Sequence, residues 1–146
     1  MPHPPRRVAN ALLVEAGKRN TKLTHMKLQK LVFFSHAWSL ALDGTPLVEE
    51  RPEAWPYGPV FPSLYHELKA YGSQNITEYL FELNPTTGQL SAFIPNPDDH
   101  NFWSLLNKVW QRYGSFSAGQ LSALSHEAGG PWERARAAFS QEIPDD

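Results

Sequence analysis

Six histidines are the residues best suited to acid–base or metal chemistry in this sequence. None lies in an HExxH motif, and no two are spaced as metal ligands within one predicted helix. His36, His66 and His126 belong to separate predicted helices, so they would form a site only if the fold brought them together. The alternative is structural, with imidazoles that hydrogen-bond backbone groups or lie on the surface.

Nucleophilic and phosphate-binding motifs are absent from the sequence as well. The chain has no cysteine, and Ser63, Ser104 and Ser125 lie outside any GxSxG elbow. The segment Gly129-Gly130-Pro131 lacks the spacing and the lysine of a P-loop. We therefore expect no catalytic, metal-binding or cofactor-binding residues, and a protein that is not an enzyme.

The composition is typical of one globular domain. Of 146 residues, 41% are hydrophobic and 19% are charged, which separates the chain from disordered proteins. The absence of cysteine fits a reducing cytoplasm, and no apolar run approaches the roughly 18 residues of a membrane span. We predict a single cytoplasmic domain over residues 1–146, with a core at about 6–140 and a frayed acidic tail from Glu142 to Asp146.

Basic residues are concentrated in the first third of the chain. Residues 1–42 carry a formal charge of +6, and the remainder carries −8. Lys22, Lys27 and Lys30 are candidates for a basic contact surface, so a nucleic-acid-binding repressor is one alternative function. However, the helix that carries Lys27 and Lys30 is too apolar to lie in a major groove. A solvated helix face is the simpler explanation, and nucleic acid is not the expected partner.

The clearest predicted element is a helix that follows Thr24. Thr24 is a good N-cap, Leu23 and Leu28 stand where a hydrophobic staple places them, and Asp43-Gly44 ends the helix. Apolar residues occupy most of its faces, so it is predicted to be the buried central helix. The predicted fold class is mainly α (α+β): a compact bundle of about five to seven helices around this helix, with a small β-hairpin.

Caps, prolines and glycines predict the remaining elements. A first helix covers about residues 6–16 and ends at Gly17, and another begins at Pro62 and ends at Gly72. Residues 76–81 and 89–94 are predicted to be the arms of the hairpin, and at most one short strand lies near Leu47-Val48. Three further helices are predicted. The first begins after Asp98 or Asp99 and ends at Gly114, and the second begins after the capping box Ser117-x-x-Gln120 and ends near Ser125. The last begins at Pro131.

Residues 54–72, AWPYGPVFPSLYHELKAYG, place aromatic residues around a rigid turn. Gly58 can take backbone angles closed to other residues, and Pro59 and Pro62 fix φ, so the turn is nearly preorganised. Rigid aromatic side chains lose little entropy on binding and make good interface anchors. Alternatively, Trp55 and Tyr65 fasten the turn to the core.

The aromatic turn and the late His126 and Trp132 thus have two interpretations, as a binding surface or as a structural fastening. The candidate partner-binding residues are Trp55, Tyr57, Gly58, Pro59, Val60, Phe61, Tyr65, His126 and Trp132.

Two segments together resemble the Panacea antitoxin-domain family, which includes phage-associated GepA-like proteins and SocA-like proteolytic adaptors. They are THMKLQKLVFFSHAWSLALDGTPLVEE at 24–50 and EAWPYGPVFPSLYHELK at 53–69. The family pattern joins a KLQKL helix ending in G-x-P-L to an A-W-x-x-GPV-x-x-x-Y segment. Later residues complete the pattern over about residues 6–140, and they are Leu121, Leu124, Ser125, His126, Pro131 and Trp132.

The resemblance implies an antitoxin that neutralises a toxin encoded beside it, usually by direct protein–protein contact and without a cofactor. It also implies an alternative, in which an adaptor delivers the toxin to an ATP-dependent protease. The partners expected from the resemblance are therefore a cognate protein toxin and, for the adaptor, a protease. The sequence does not distinguish blocking from delivery.

Overall fold

A computed structural model describes residues 2–56 and 58–126. In this part of the chain the helices are α1 (Pro5–Lys18), α2 (His25–Asp43), α3 (Pro62–Leu68), α4 (His100–Tyr113) and α5 (Ala118–Ser125). The strands are β1 (Glu53–Trp55), β2 (Gly58–Val60), β3 (Glu82–Leu83) and β4 (Leu90–Ser91). The predicted fold class, mainly α with a small β component, is confirmed.

Helix α2 is central, as predicted. It packs against α1, α3, α4, α5 and β2, and it is buried on most of its faces. The Thr24 hydroxyl accepts a hydrogen bond from the Lys27 amide, which caps the first turn. Gly44, at a φ of +69°, ends the helix in the left-handed conformation, and its amide bonds the Leu40 carbonyl. Local capping therefore sets both ends of the core helix.

Helix α1 is longer than predicted, because Pro5 occupies its first turn and Gly17 lies inside it. Its buried face carries Val8, Ala11 and Leu12, and these residues share one hydrophobic core with α2, α3, α4 and α5. Asn10, a polar residue on α1, is fully enclosed. Its amide bonds a distant segment rather than its own helix.

The predicted starts of three helices are confirmed. Pro62 stands at the first position of α3, which ends at Leu68 and continues as a short 3-10 turn over Lys69–Tyr71. Asp99 caps α4 by accepting a hydrogen bond from the Phe102 amide. Ser117 and Gln120 form the predicted capping box at the start of α5. The helix predicted from Pro131 and the acidic tail lie outside the described residues.

The hairpin predicted from residues 76–81 and 89–94 is present, but its strands are only two residues long each. Leu83 pairs with Leu90, and Glu82 pairs with Ser91. The prediction of a strand at 76–81 was wrong, because backbone groups of this segment are bonded to α1 and to the α1–α2 loop and are not available to a partner strand. The Ile76 backbone amide donates to the Leu23 carbonyl, and the Asn10 side-chain amide bonds both the backbone amide and the carbonyl of Leu80.

A second, unpredicted hairpin lies at the aromatic turn, where Trp55 pairs with Gly58 and Glu53 with Val60. The short strand predicted near Leu47-Val48 is reduced to one parallel bridge between His3 and Val48. Among the described residues, no helix is both long enough and apolar enough to span a membrane.

Candidate functional site at the aromatic turn

Gly58 is the point at which the aromatic turn approaches α2 and α5. Its φ is +106°, a conformation that L-residues rarely adopt. A Cβ atom at this position would lie 2.7 Å from the Lys30 Nζ atom and 2.7 Å from the Ser125 Oγ atom. The backbone angle therefore favours glycine, and a Cβ atom would displace the ends of the Lys30 and Ser125 side chains, so the geometry supports the predicted role of Gly58 in the turn.

Lys30 lies directly beneath this glycine and is completely enclosed, at 0% exposure. Its ammonium donates a hydrogen bond to the Pro59 carbonyl at 3.2 Å. No carboxylate within residues 2–56 and 58–126 forms an ion pair with it. Burial therefore lowers the pKa of Lys30 to about 8.

Gln29, the neighbour of Lys30 on α2, bonds the backbone of Phe61 in both directions. The Phe61 amide donates to Oε1 at 3.0 Å, and Nε2 donates to the Phe61 carbonyl at 3.3 Å. That carbonyl also accepts the first hydrogen bond of α3, from the Tyr65 amide. Gln29 thus fixes the point where β2 ends and α3 begins.

The aromatic side chains of the turn form a short chain of ring contacts. Trp55 contacts Tyr65 edge to face at a centroid distance of 4.9 Å, and Tyr65 contacts His25 at 5.1 Å. The Trp55 indole donates to the Glu53 carboxylate at 2.7 Å. Trp55 and Tyr65 are both half-buried, so each presents an edge to solvent. His25 is buried, and burial, with the Lys30 charge second, lowers its pKa.

His126 joins the turn to the end of α5. Burial, followed by the charge of Lys30, lowers the pKa of His126, while backbone hydrogen bonds with Pro56 and Ser122 oppose that shift. The bond to Pro56 agrees with the structural interpretation, in which His126 holds the turn. Trp132 and Tyr57, the remaining candidates of this set, lie outside the described residues.

The other candidate histidines do not assemble a site. The His36 Nδ1 atom accepts a hydrogen bond from the Val48 amide at 3.1 Å in the interior, whereas His66 is exposed on α3. Across 2–56 and 58–126, no three histidine, aspartate or glutamate side chains are grouped so that they could hold a metal ion.

The predicted basic contact surface is wrong for Lys30, which lies in the interior because the GPV strand covers it. Lys27 is half-buried, and its ammonium donates to the Gly114 carbonyl at 2.6 Å, at the negative end of the α4 dipole. Lys22 is the exposed member of the three. The three lysines therefore do not form a shared surface.

Sequence reasoning missed the roles of Asn10, Gln29 and Lys30, whose side chains bond backbone groups far along the chain. A signal was present for two of them, since Gln29 and Lys30 stand inside the KLQKL motif. It also missed that several large apolar side chains of the 79–90 region are exposed. They are Tyr79, Phe81, Leu83 and Leu90.

These features are those of a small helical domain whose signature residues lock its fold. The family model described as antitoxin SocA-like, Panacea domain, matches residues 28–133, and the chain belongs to this family. Over 128 residues the chain is 36% identical to antitoxin SocA of Caulobacter vibrioides (strain NA1000 / CB15N). The aligned region covers 88% of this chain and 68% of that protein. No solved structure matches the chain. The predicted family is therefore confirmed.

Proposed function

We propose that this protein is a cytoplasmic antitoxin that neutralises a toxin encoded beside it by direct protein–protein contact. The observation that carries the proposal is the similarity to an antitoxin over 88% of the chain, at 36% identity. In this proposal the protein acts by binding and not by catalysis, and residues 1–146 form a single domain with its core at about 6–140.

The contacts beneath the aromatic turn support a binding module rather than an enzyme. Among the described residues Lys30 has the most strongly shifted pKa, and its ammonium is enclosed and bonded to a backbone carbonyl, so no substrate reaches it. Perturbed groups often mark active sites, but here burial under a structural turn accounts for the shift.

Within the candidate partner-binding set, we propose that the buried members act through the fold. Gly58, Pro59, Val60 and Phe61 hold the turn against α2, where no partner touches them. Trp55 and Tyr65 keep an accessible edge, so a toxin contact at the turn would involve these two rings.

The experiment is co-expression of this chain with the product of the adjacent reading frame, scored first by growth and then by co-purification. Growth rescue with a stable complex supports direct neutralisation. Growth rescue in which the toxin accumulates only when an ATP-dependent protease is deleted supports the adaptor alternative. Absence of both rescue and complex contradicts the proposed pairing.

A nucleic-acid-binding repressor is disfavoured, because the lysines predicted to contact phosphates are dispersed. The same purified protein tests this alternative. Binding to duplex DNA that weakens steeply with salt, and that is lost on Lys22→Glu, would revive it.

A further inference from the structure

The β3–β4 hairpin and the segment before it display apolar side chains to solvent. Of the large hydrophobic residues that are exposed in the described part of the chain, most lie in this region. They are Tyr79, Phe81, Leu83, Leu90 and Ile94, against Leu42 and Leu124 elsewhere. Such a concentration marks an interaction surface more often than single exposed leucines do.

Burial alternates along this segment, and large apolar side chains occupy its exposed positions. This arrangement is termed the outward phase. Leu80 is buried and Glu82 is half-buried, whereas the residues on either side of each are exposed. Because successive side chains of an extended chain point to opposite faces, Tyr79, Phe81 and Leu83 share the outer face. Leu90 lies directly across from Leu83 and belongs to the same face.

Two side chains of α1 hold the outward phase in place. Asn10 bonds the amide and the carbonyl of Leu80, at 2.8 and 2.9 Å, and its Nδ2 atom also donates to the Phe93 carbonyl. The Arg7 guanidinium donates two hydrogen bonds to the Glu82 carboxylate, at 3.0 and 2.7 Å. A slip of one residue would break all of these bonds, so the apolar face is preorganised rather than accidental.

Two grooves flank Tyr79 and extend this face. One, of about 400 Å³, lies between the end of α1 and residues 75–79, and Leu13 and Ile76 are among its lining residues. The other, of about 260 Å³, is lined by Leu68, Tyr71 and Phe81 among others. Glu78 and Tyr79 line both grooves, which are therefore adjacent.

The charges around this face select the partner. No lysine or arginine occurs between Lys69 and Lys108, whereas this interval contains Glu78, Glu82, Asp98 and Asp99. Arg6 and Arg7 are paired with Glu67 and Glu82, and Lys22 lines the larger groove together with Glu78. Glu78 is exposed beside Tyr79 and forms no ion pair within residues 2–56 and 58–126, so its carboxylate can accept a partner cation.

We propose that the face formed by Tyr79, Phe81, Leu83 and Leu90, with its two flanking grooves, is the toxin-docking surface. Its occupant is a toxin segment with apolar side chains that fill the grooves and a basic residue that reaches Glu78. This inference rests on the proposed function and assigns the surface that the function needs.

The test compares Leu83→Ser/Leu90→Ser with Leu42→Ser in binding to the purified product of the adjacent reading frame. Leu42 is an apt control because it is 60% exposed, close to the 63% of Leu83 and 71% of Leu90, but it lies at the end of α2. We expect the double variant to weaken binding by roughly tenfold to a hundredfold, since two leucine contacts are lost. The control is expected to bind like the wild type.

A second variant keeps the test open if the double variant does not fold. Glu78→Lys keeps every apolar side chain of the face, and it is expected to weaken binding several-fold, with the difference from the wild type shrinking at high salt. Thermal melts of each variant verify the fold independently of binding.

The outcomes separate the surface from the function. If the wild type neither rescues growth nor binds, the proposed function fails. If the wild type binds and folded Leu83→Ser/Leu90→Ser and Glu78→Lys bind equally well, the docking surface is wrong and the function stands. A wild-type dimer that becomes monomeric in the double variant, with toxin binding unchanged, would instead make this face a contact between two copies of the chain.

Discussion

The aromatic turn and the β3–β4 hairpin are both held by side chains that bond backbone groups far along the chain, yet the turn is largely buried and the hairpin exposes apolar side chains. At the turn, Gln29 and Lys30 of α2 bond the backbone of Phe61 and Pro59, and strand β2 is buried over α2. At the hairpin, Asn10 of α1 bonds the backbone of Leu80, and the neighbouring apolar residues remain exposed. Bonds from a helix side chain to distant backbone thus bury the turn in one region and hold apolar side chains in solvent in the other.

If the hairpin face is the docking surface proposed above, the family signature marks a different region of the molecule from the one that binds. The motif residues from Gly58 to Phe61 are buried, and the backbone of Pro59 and Phe61 is bonded to side chains of α2. A signature of this kind reports a shared fold. The hairpin contributes little to the motif, but it has the exposure, the preorganisation and the charge that an interface requires.

The largest effect is expected at the closed region, from Gly58→Ala. The substitution places a Cβ atom against Lys30 and Ser125 and forces a positive φ on alanine, so we expect a loss of about 3–4 kcal/mol in the free energy of unfolding. Urea denaturation measures this loss. The matched control is Gly17→Ala, which has open space within α1 and is expected to stabilise by about 0.5–1 kcal/mol. Equal effects at the two glycines would contradict the close packing of the turn.

The second effect is a pH dependence that originates at Lys30. Burial lowers its folded pKa to about 8 from the ordinary 10.5, so between these values the unfolded chain binds a proton that the folded chain does not. Stability from this group therefore rises with pH across that window, by about 3 kcal/mol, and the penalty for the buried charge is fully present below pH 8.

Lys30→Met removes the charge and nearly keeps the volume, so we expect it to flatten this rise and to be at least as stable as the wild type at pH 7. Denaturation midpoints at pH 7, 8.5 and 10 measure the slope. Lys108→Met, on the exposed face of α4, is the control and should keep the wild-type slope. A wild-type slope in Lys30→Met would place the titration elsewhere.

The third effect lies at the open region. Asn10→Ala leaves the Leu80 amide and carbonyl without their partner in a buried position, and we expect a loss of about 2–3 kcal/mol. Hydrogen exchange at the Leu80 amide is the more specific measurement, and its protection should fall. Asn107→Ala removes only an exposed bond with Arg19, and its expected effect is under about 0.5 kcal/mol. Unchanged exchange at Leu80 would mean that Asn10 does not hold the segment.

Sequence reasoning succeeded where the signal is local and failed where it is distant. The caps at Thr24, Asp99 and Ser117 were predicted because each bond spans three residues. The burial of Lys30 was not predicted, because the carbonyl that receives its ammonium is 29 residues away. The first hairpin arm was misplaced for the same reason, since Leu80 is held by a residue 70 positions earlier.

The smallest effect concerns the ion pair that fixes the phase of the hairpin. The hydrogen bond from Arg7 is the main cause that lowers the pKa of Glu82. The stabilisation is therefore complete above the ordinary glutamate pKa of 4.5 and is lost as pH falls through the lower folded value. A double-mutant cycle with Arg7→Gln and Glu82→Gln should give a coupling of about 1 kcal/mol at pH 7, because the pair is only partly buried.

The neighbouring pair of Arg6 and Glu67 provides the contrast. Burial is the main cause that raises the pKa of Glu67, so its contribution to stability decreases as pH rises through its titration, the opposite direction to Glu82. Acid titration of wild type, Glu82→Gln and Glu67→Gln should therefore give stability differences with opposite slopes. If the difference for Glu82→Gln does not fall on acidification, the hydrogen bond from Arg7 does not stabilise the Glu82 carboxylate. The outward phase of the apolar face would then depend on Asn10 alone.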